Sequence, residues 1–174
     1  MTNMFQLLIS FDSSYSNFKI QFLRASLLFK EWPMDELVKF AYSMKKRVYN
    51  EGSIVLSQGE RVDLVTIVKK GIVRIFHKMI QHKKSKLPFL ESRRGSIPNP
   101  LRSVDVVVDI AEIGAHDLIG VVEAMTNSKK MRNEAVAQSQ LEVFVIPNKV
   151  FMSFLKPKSA TSIHLKRLGE MLYT

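Results

Sequence analysis

Between Val48 and Ile75 the sequence consists of short apolar runs with a period of two, and this pattern strongly limits the folds open to the chain. Gly52, Gly59 and Gly71 separate the runs. A period of two indicates strands that bury one face, and glycine between strands allows turns with positive φ angles. Several short strands joined by glycine turns predict a barrel or a sandwich.

Helical spacing replaces the period of two on the N-terminal side of this region. A first helix is predicted from Asn17 to about Lys30, because apolar residues recur there at helical spacing. These residues are Ile20, Leu23, Leu27 and Leu28. A second helix is predicted to begin at Pro33, since proline is favoured in the first turn, and to end at the basic triplet 45–47.

Two more helices are predicted after the last strand. The first follows Pro147 and reaches Leu155. The second runs from Thr161 to Tyr173 and carries apolar residues on one side. The leucines on that side need a partner, because an apolar helix face is stable only when it is covered.

The stretch from Ile113 to Met125 predicts a strand end, a tight turn and a short helix that begins at Gly120. This geometry leaves backbone N–H groups, here those of Val121 and Val122, directed at whatever lies in front of the helix, which suits a phosphate. Arg132 stands at the start of the next alternating run, where a cation could approach the same anion. The pattern therefore predicts an anion site.

The formal net charge of +10 raises the question of an anionic partner. Lys and Arg fields attract nucleic acid and anionic lipid alike. The basic excess is concentrated in two stretches, Lys78 to Arg102 and Lys156 to Arg167. Because basic loops of this kind are more often solvated surface than binding sites, we expect no nucleic-acid partner.

Several classes of protein find no support in the sequence. No run of about 18 uncharged apolar residues occurs, and the first residues lack the basic region of a secretory signal, so we expect no membrane span and a cytoplasmic location. The absence of cysteine fits a reducing compartment. The histidines show no metal-ligand spacing, and no nucleophile or phosphate-loop motif occurs. We therefore expect no enzyme activity, no metal and no cofactor.

The run from Asn50 to Ile75 contains a glycine before the second strand, a Gln-Gly-Glu turn, an aspartate and a strand-glycine-strand unit. At this spacing it resembles the first half of a cyclic nucleotide-binding domain. The stretch from Ile113 to Met125 resembles that family's phosphate-binding turn, and Leu141 to Ile146 its final strand. The resemblance, which covers about Pro33 to Leu155, implies an α+β fold. Its centre is a β-roll, a jelly-roll-like antiparallel barrel, flanked by N-terminal and C-terminal helices.

The resemblance divides the chain into four segments. They are a tail (1–17), a helical segment (18–47), the β-roll (48–155) and a C-terminal helix segment (156–174). A basic stretch rich in serine and proline, residues 78–104, interrupts the β-roll, and we expect it to be disordered. Within it, Arg93 to Ile97 resembles the substrate motif of basophilic kinases and makes Ser96 a candidate phosphosite. An unmodified basic loop is the simpler interpretation of so short a motif.

The phosphate-binding turn departs from the family pattern at its charged positions. In the family, a glutamate after the glycine holds the ribose hydroxyl, and an arginine pairs with the cyclic phosphate. Here Val121 follows Gly120, and Glu123 lies about 200° further around the helix. Met131 falls at the arginine position, and Arg132 can serve only if the turn from Thr126 to Lys130 absorbs a residue or the strand bulges, because a shift of one residue reverses the side-chain direction. His116 occupies the place of a second turn glycine. The predicted ligand contacts are Gly120, Val121, Val122, Glu123, Met131 and Arg132.

Two functions remain open at this stage. The resemblance implies a cyclic nucleotide-binding regulatory module for cAMP or cGMP, in which Lys129 or Lys130 assists Arg132 and the C-terminal helix closes over the ligand. The alternative is a ligand-free scaffold that binds a partner protein through the C-terminal helix or the basic stretch. Val121 and Met131 favour the scaffold, whereas the glycine framework of the roll favours the ligand-binding module.

Overall fold

The computed structural model describes residues 16–83, 102–126 and 128–155, together with residues 163, 165 and 167, which are helical. Three helices lie outside the roll: α1 (residues 16–25), α2 (Met34–Ser43) and α4 (Asn148–Phe154), and the short helix α3 (Val121–Met125) follows Gly120. The strands are β1 (Lys45–Tyr49), β2 (Ile54–Leu56), β3 (Leu64–Lys70), β4 (Val73–Lys83), β5 (Arg102–Ile113), β6 (Leu118–Ile119), β7 (Glu134–Ala137) and β8 (Leu141–Pro147). Within these ranges, every helix is too short or too polar to cross a membrane.

The strands form two four-stranded antiparallel sheets, with the orders β1-β8-β3-β6 and β2-β7-β4-β5. Side chains from both sheets meet in a cluster that we call the roll core. Its members include Val55, Val62, Val68, Val73, Ile119, Met131, Ala135 and Ala137. This arrangement confirms the predicted α+β fold, a β-roll with helices on both sides.

A second cluster, which we call the helical core, packs the helices against the outer face of the first sheet. Its members include Leu23, Phe29, Trp32, Leu37, Phe40, Val65, Ile67 and Phe151. Four of these are aromatic, and their rings meet mostly at steep angles, as in the edge contact of Phe29 with Trp32 at 5.1 Å between centroids. Edge contacts of this kind are preferred because the positive ring edge faces the negative ring face.

Strand β8 contributes to both cores. Leu141, Val143 and Val145 enter the roll core, whereas Phe144 and Ile146 enter the helical core. Successive side chains of a strand point to opposite faces, so a strand that is apolar at nearly every position must be covered on both sides. The sheet that contains β8 is therefore the central layer of the molecule.

Lys19 on α1 connects the first two helices although it is a charged residue in a buried position. Its side chain is 8% exposed, and its ammonium donates to the carbonyl oxygens of Ala41 at 3.1 Å and Met44 at 2.9 Å. These carbonyls lie at the C-terminal end of α2, where the negative end of the helix dipole favours a cation. Lys19 thereby fixes α1 against α2.

The helix boundaries differ from the predictions in two places. The first helix ends at residue 25 rather than near Lys30, and the following turn leaves the Leu27 side chain 77% exposed. The basic triplet 45–47 belongs to β1 instead of ending α2, because Met44 adopts extended angles and the chain then pairs with β8. Long-range pairing with β8 outweighs the local helical pattern here.

The hairpin β4–β5 extends into the stretch predicted to be disordered. Strand β4 continues to Lys83 and β5 begins at Arg102, with Lys83 opposite Arg102 in the register. Residues 84–101, which include the candidate phosphosite Ser96, lie outside the described residues. Residues 78–83 and 102–104 are therefore strand, since each continues a ladder that begins inside the roll.

Candidate functional site

The turn between β5 and β6 is fixed by hydrogen bonds to itself and to β3. The carboxylate of Asp117 accepts from the N–H of Gly114 at 2.9 Å. The N–H of His116 donates to the carbonyl of Val68 at 2.8 Å, and the N–H of Val68 donates to the carbonyl of Asp117 at 2.9 Å. This pairing holds the turn against the first sheet and sets the position at which α3 begins.

Gly120 is the N-cap of α3, and its backbone has a φ of 80°, in the left-handed region. A Cβ atom at this position would lie 3.1 Å from the carbonyl oxygen of Leu64. Both the φ angle and the close approach of β3 therefore favour glycine. The sharp change of direction at Gly120 places the first turn of α3, Val121 to Glu123, beside the end of the roll.

His116 has a φ of 74° and is the one residue other than glycine with a positive φ in the described part of the chain. Histidine tolerates this conformation better than most residues, which explains how it replaces a turn glycine. Its ring stacks on Phe22 of α1 at 4.4 Å between centroids, and Phe22 in turn contacts Phe144 at 5.5 Å. The Nδ1 atom of His116 is buried and has no hydrogen-bond partner among the described residues.

A cavity of about 460 Å³ lies beside this turn, between the roll core and the helical core. Strands β4, β5 and β7 supply an apolar wall, which includes Ile75, Ala111, Ile113 and Ala135. The opposite wall comes from the turn and α3 and includes His116, Gly120, Val121, Val122 and Glu123. Residues 25–28, which begin at the last residue of α1, and Leu165 from the C-terminal helix complete the lining. A volume of this size is typical of small-molecule sites, which fall in the range of about 300–1,000 Å³.

Five of the six predicted ligand contacts line this cavity: Gly120, Val121, Val122, Glu123 and Met131. Arg132 does not, and its side chain is exposed. Met131, 4% exposed, is fixed by main-chain hydrogen bonds to Gly59 and Glu60, each 2.8 Å long. The next residue then faces the other way, and the carbonyl of Arg132 accepts from His77 Nδ1 at 2.9 Å. The structure thus places Met131 inward and Arg132 outward.

Glu123 is a buried acid in the cavity wall, with only 3% of the residue exposed. Its Oε1 atom accepts from the backbone N–H of Arg132 at 3.5 Å, which is a long contact for a hydrogen bond. Glu123 therefore links α3 to the segment that leads into β7. Its carboxylate also brings negative charge to the cavity wall.

The charged side chains of the cavity wall are all acidic. Asp117 and Glu123 line the cavity, and the described lining residues include no lysine or arginine. Lys129 and Lys130, predicted to assist a phosphate, are exposed and lie outside the lining. Among the described lining residues, an anion would thus meet the carboxylates of Asp117 and Glu123, and its donors would be backbone N–H groups at the start of α3 rather than lysine or arginine.

The ion pairs with the largest electrostatic effects lie elsewhere on the roll. Hydrogen bonds from Lys69 at 2.7 Å and Lys46 at 2.9 Å hold the pKa of the Glu142 carboxyl down at about 2. On the outer face of the hairpin, the hydrogen bond from Arg74 lowers the pKa of Asp109. These pairs hold neighbouring strands together and do not reach the cavity.

Several cavity residues were not among the predicted ligand contacts. Asn133 lines the cavity, and its Oδ1 lies 3.1 Å from His77 Nδ1. Ile75 and Ile113 could have been predicted from strand alternation, because both fall on the side of a predicted strand that faces the inside of the roll. Leu165 could not, since its place beside the cavity depends on how the C-terminal helix packs.

Comparisons by sequence give no relative, because no family model matches the chain and a search of curated proteins finds no significant match. Comparisons by structure give many. The regulatory domain of Toxoplasma gondii protein kinase A with cAMP superposes with a TM-score of 0.67 and 14% identity over 91% of this chain and 51% of that one.

Two further solved structures are similar at comparable identity. The regulatory subunit of a cAMP-independent protein kinase A from Trypanosoma cruzi, bound to guanosine, gives a TM-score of 0.66 and 17% identity over 90% of this chain and 47% of that one. A cyclic nucleotide-binding protein of Ruegeria pomeroyi gives a TM-score of 0.57 and 21% identity over 88% of this chain and 58% of that one. The chain spans about half the length of these structures. The described residues adopt the fold of a cyclic nucleotide-binding domain.

Proposed function

We propose that this chain is a non-catalytic regulatory module that binds a nucleoside or a cyclic nucleotide in the cavity beside α3. The observation that carries the proposal is the cavity itself. It has a volume of about 460 Å³, and Gly120, Val121, Val122, Glu123 and Met131 stand together in its wall. Similar folds hold cAMP in the Toxoplasma protein and guanosine in the Trypanosoma protein, which supports a ligand of this size and chemistry. A cytoplasmic location remains part of the proposal.

The proposed module binds cAMP and cGMP weakly. Val121 and Met131 stand where the family has a glutamate and an arginine, and the exposed Arg132 lies outside the cavity wall. A charge-assisted hydrogen bond contributes about 1.5–3 kcal/mol, so the loss of two of them reduces affinity by orders of magnitude.

Ligand binding is proposed to act on the C-terminal helix. Leu165 is 1% exposed, lines the cavity and belongs to the helical core, whereas Ile163 on the same helix is 46% exposed. A ligand that contacts Leu165 would favour the closed position of this helix and change what its outer side presents.

A ligand-free scaffold is the second candidate. It is favoured by the apolar Val121 and Met131 at the two positions where the family has charged side chains. The exposed Ile163 also favours it, because this side chain offers an apolar contact to a partner protein. Under this proposal, the fold is retained for its surface rather than for its cavity.

Isothermal titration calorimetry with cAMP, cGMP and guanosine tests the choice between the two. The informative variant is Ala111→Phe, which fills the cavity from β5, and the matched control is Val107→Phe, on the same strand but exposed and outside the lining. The proposal expects binding that is lost in Ala111→Phe and kept in Val107→Phe. No heat with the three ligands at millimolar concentration, with the chain folded, would favour the scaffold.

A further inference from the structure

We propose that the cavity selects an uncharged, nucleoside-like ligand and rejects ligands that carry a phosphate anion. This inference rests on the proposed function and specifies the ligand class of the same site. Three observations carry it: the sign of the charges in the cavity wall, the direction of Arg132, and the kind of polar groups that face the cavity.

The cavity wall is unfavourable for an anion. Its charged residues, Asp117 and Glu123, are acidic, and Glu123 is 3% exposed, so its charge is poorly screened by water. An anion that enters loses its hydration and needs a cation or several donors in return. The described lining supplies no lysine or arginine for this purpose, and the backbone N–H groups of Val121 and Val122 at the start of α3 are uncharged donors.

Arg132, which follows Met131 in the sequence, cannot enter the cavity without a change of strand register. Met131 is anchored on both sides of its peptide by hydrogen bonds to Gly59 and Glu60 at 2.8 Å. Arg132 consequently points to the exposed side, where its carbonyl accepts from His77. Turning Arg132 inward would break the Gly59 and Glu60 contacts and expose Met131, which is now 4% exposed.

The polar groups that face the cavity suit a neutral ligand. The carboxylates of Asp117 and Glu123 accept hydrogen bonds, and Asn133 offers an amide. Hydroxyl and amino groups of a nucleoside donate to such acceptors. Apolar side chains on the opposite wall, such as Ile75 and Ile113, fit the faces of a heterocyclic ring.

Matched ligand pairs isolate the effect of the phosphate. Adenosine is compared with cAMP, and guanosine with cGMP, by calorimetric titration of the full chain. We expect each nucleoside to bind at least about ten-fold more tightly than its cyclic monophosphate, because a charged group without a partner costs that factor or more. Arg132→Ala should leave all four affinities unchanged.

A variant that adds a cation to the cavity reverses the preference. Met131→Arg should raise the affinity for cAMP and cGMP by about ten-fold or more and leave the nucleosides unchanged or weaker. Met131→Leu, which keeps the apolar volume, is the matched control and should retain the wild-type order. Thermal unfolding of each variant confirms that it is folded.

The outcomes separate this inference from the proposed function. Equal or tighter binding of the cyclic nucleotide by the wild type, or loss of cAMP binding in Arg132→Ala, would overturn the inference and leave the proposed function standing. Binding of neither nucleoside nor cyclic nucleotide would overturn both. If Met131→Arg does not fold, the wild-type pairs and Arg132→Ala still decide the inference.

Discussion

Replacement of Lys19 by methionine should destabilise the protein strongly. The variant Lys19→Met keeps the apolar length of the side chain and removes the ammonium that donates to the carbonyls of Ala41 and Met44 at 3.1 and 2.9 Å. A hydrogen bond to a charged group contributes about 1.5–3 kcal/mol, and two such bonds are lost. Because the variant no longer has to desolvate a charge, we expect a net loss of about 2–4 kcal/mol in unfolding free energy.

Equilibrium unfolding in urea measures this loss directly. For a chain of this length, a thermal scan should show a decrease of roughly 5–15 °C in Tm. The matched control is Lys39→Met on α2, whose side chain is 71% exposed and pairs with Asp35 at the long distance of 4.0 Å. Exposed pairs contribute little, so the control should lose less than about 0.5 kcal/mol. A Lys19→Met protein as stable as the control would refute the role of Lys19 as a link between α1 and α2.

Three further predictions concern the turn, the cavity and the surface. Gly120→Ala should cost about 1–2 kcal/mol for its positive φ, plus the contact at 3.1 Å with Leu64. In urea it should be less stable than Gly59→Ala, because Gly59 has a similar φ but its added Cβ would meet no atom within 4 Å. Equal losses of stability would show that the contact with Leu64 costs nothing. Glu123→Gln should raise cAMP affinity several-fold by calorimetry, since it removes a buried negative charge; an unchanged affinity would count against the electrostatic argument. Glu142, with its pKa lowered from 4.5 to about 2, stabilises the fold above pH 4.5 and loses this contribution as the pH falls through about 2. Glu142→Gln should remove up to about 1 kcal/mol of this pH-dependent part of the unfolding free energy. If the variant and the wild type show the same dependence of unfolding on acid pH, Glu142 does not make this contribution.

Much of the fold follows from local sequence patterns that recur along the chain. Gly52, Gly59, Gly71 and Gly120 all adopt positive φ angles, as turns between short strands require. Strand β8 is apolar at almost every position, and a strand of this kind must lie between two layers. These features depend on residue type and spacing alone, so the sequence is sufficient to predict them.

Other features depend on contacts between distant parts of the chain. The triplet 45–47 is basic, which is typical of a helix end, yet pairing with β8 makes it a strand. Leu27 has the correct helical spacing but lies in the turn after α1 and is exposed. Local periodicity cannot predict either outcome, because each depends on contacts with residues that are distant in the sequence.

The candidate site shows the same division. The grouping of Gly120 with Val121, Val122 and Glu123 follows from one short helix, and the sequence predicted it. Whether Met131 or Arg132 faces the cavity depends on strand register, which a bulge or a longer turn could have changed. The hydrogen bonds of Met131 to Gly59 and Glu60 decide this register, and they join segments that are far apart in the sequence.

The two-sided packing of β8 has a consequence for cooperativity. Phe144 and Ile146 lie in the helical core, while Val143 and Val145 lie in the roll core, so neither core can lose its packing without exposing the other side of the same strand. We therefore expect the helices and the roll to unfold together as one all-or-none unit. The helices are not an appendage that the roll could shed, because their removal would leave an uncovered aromatic and aliphatic face on the central sheet.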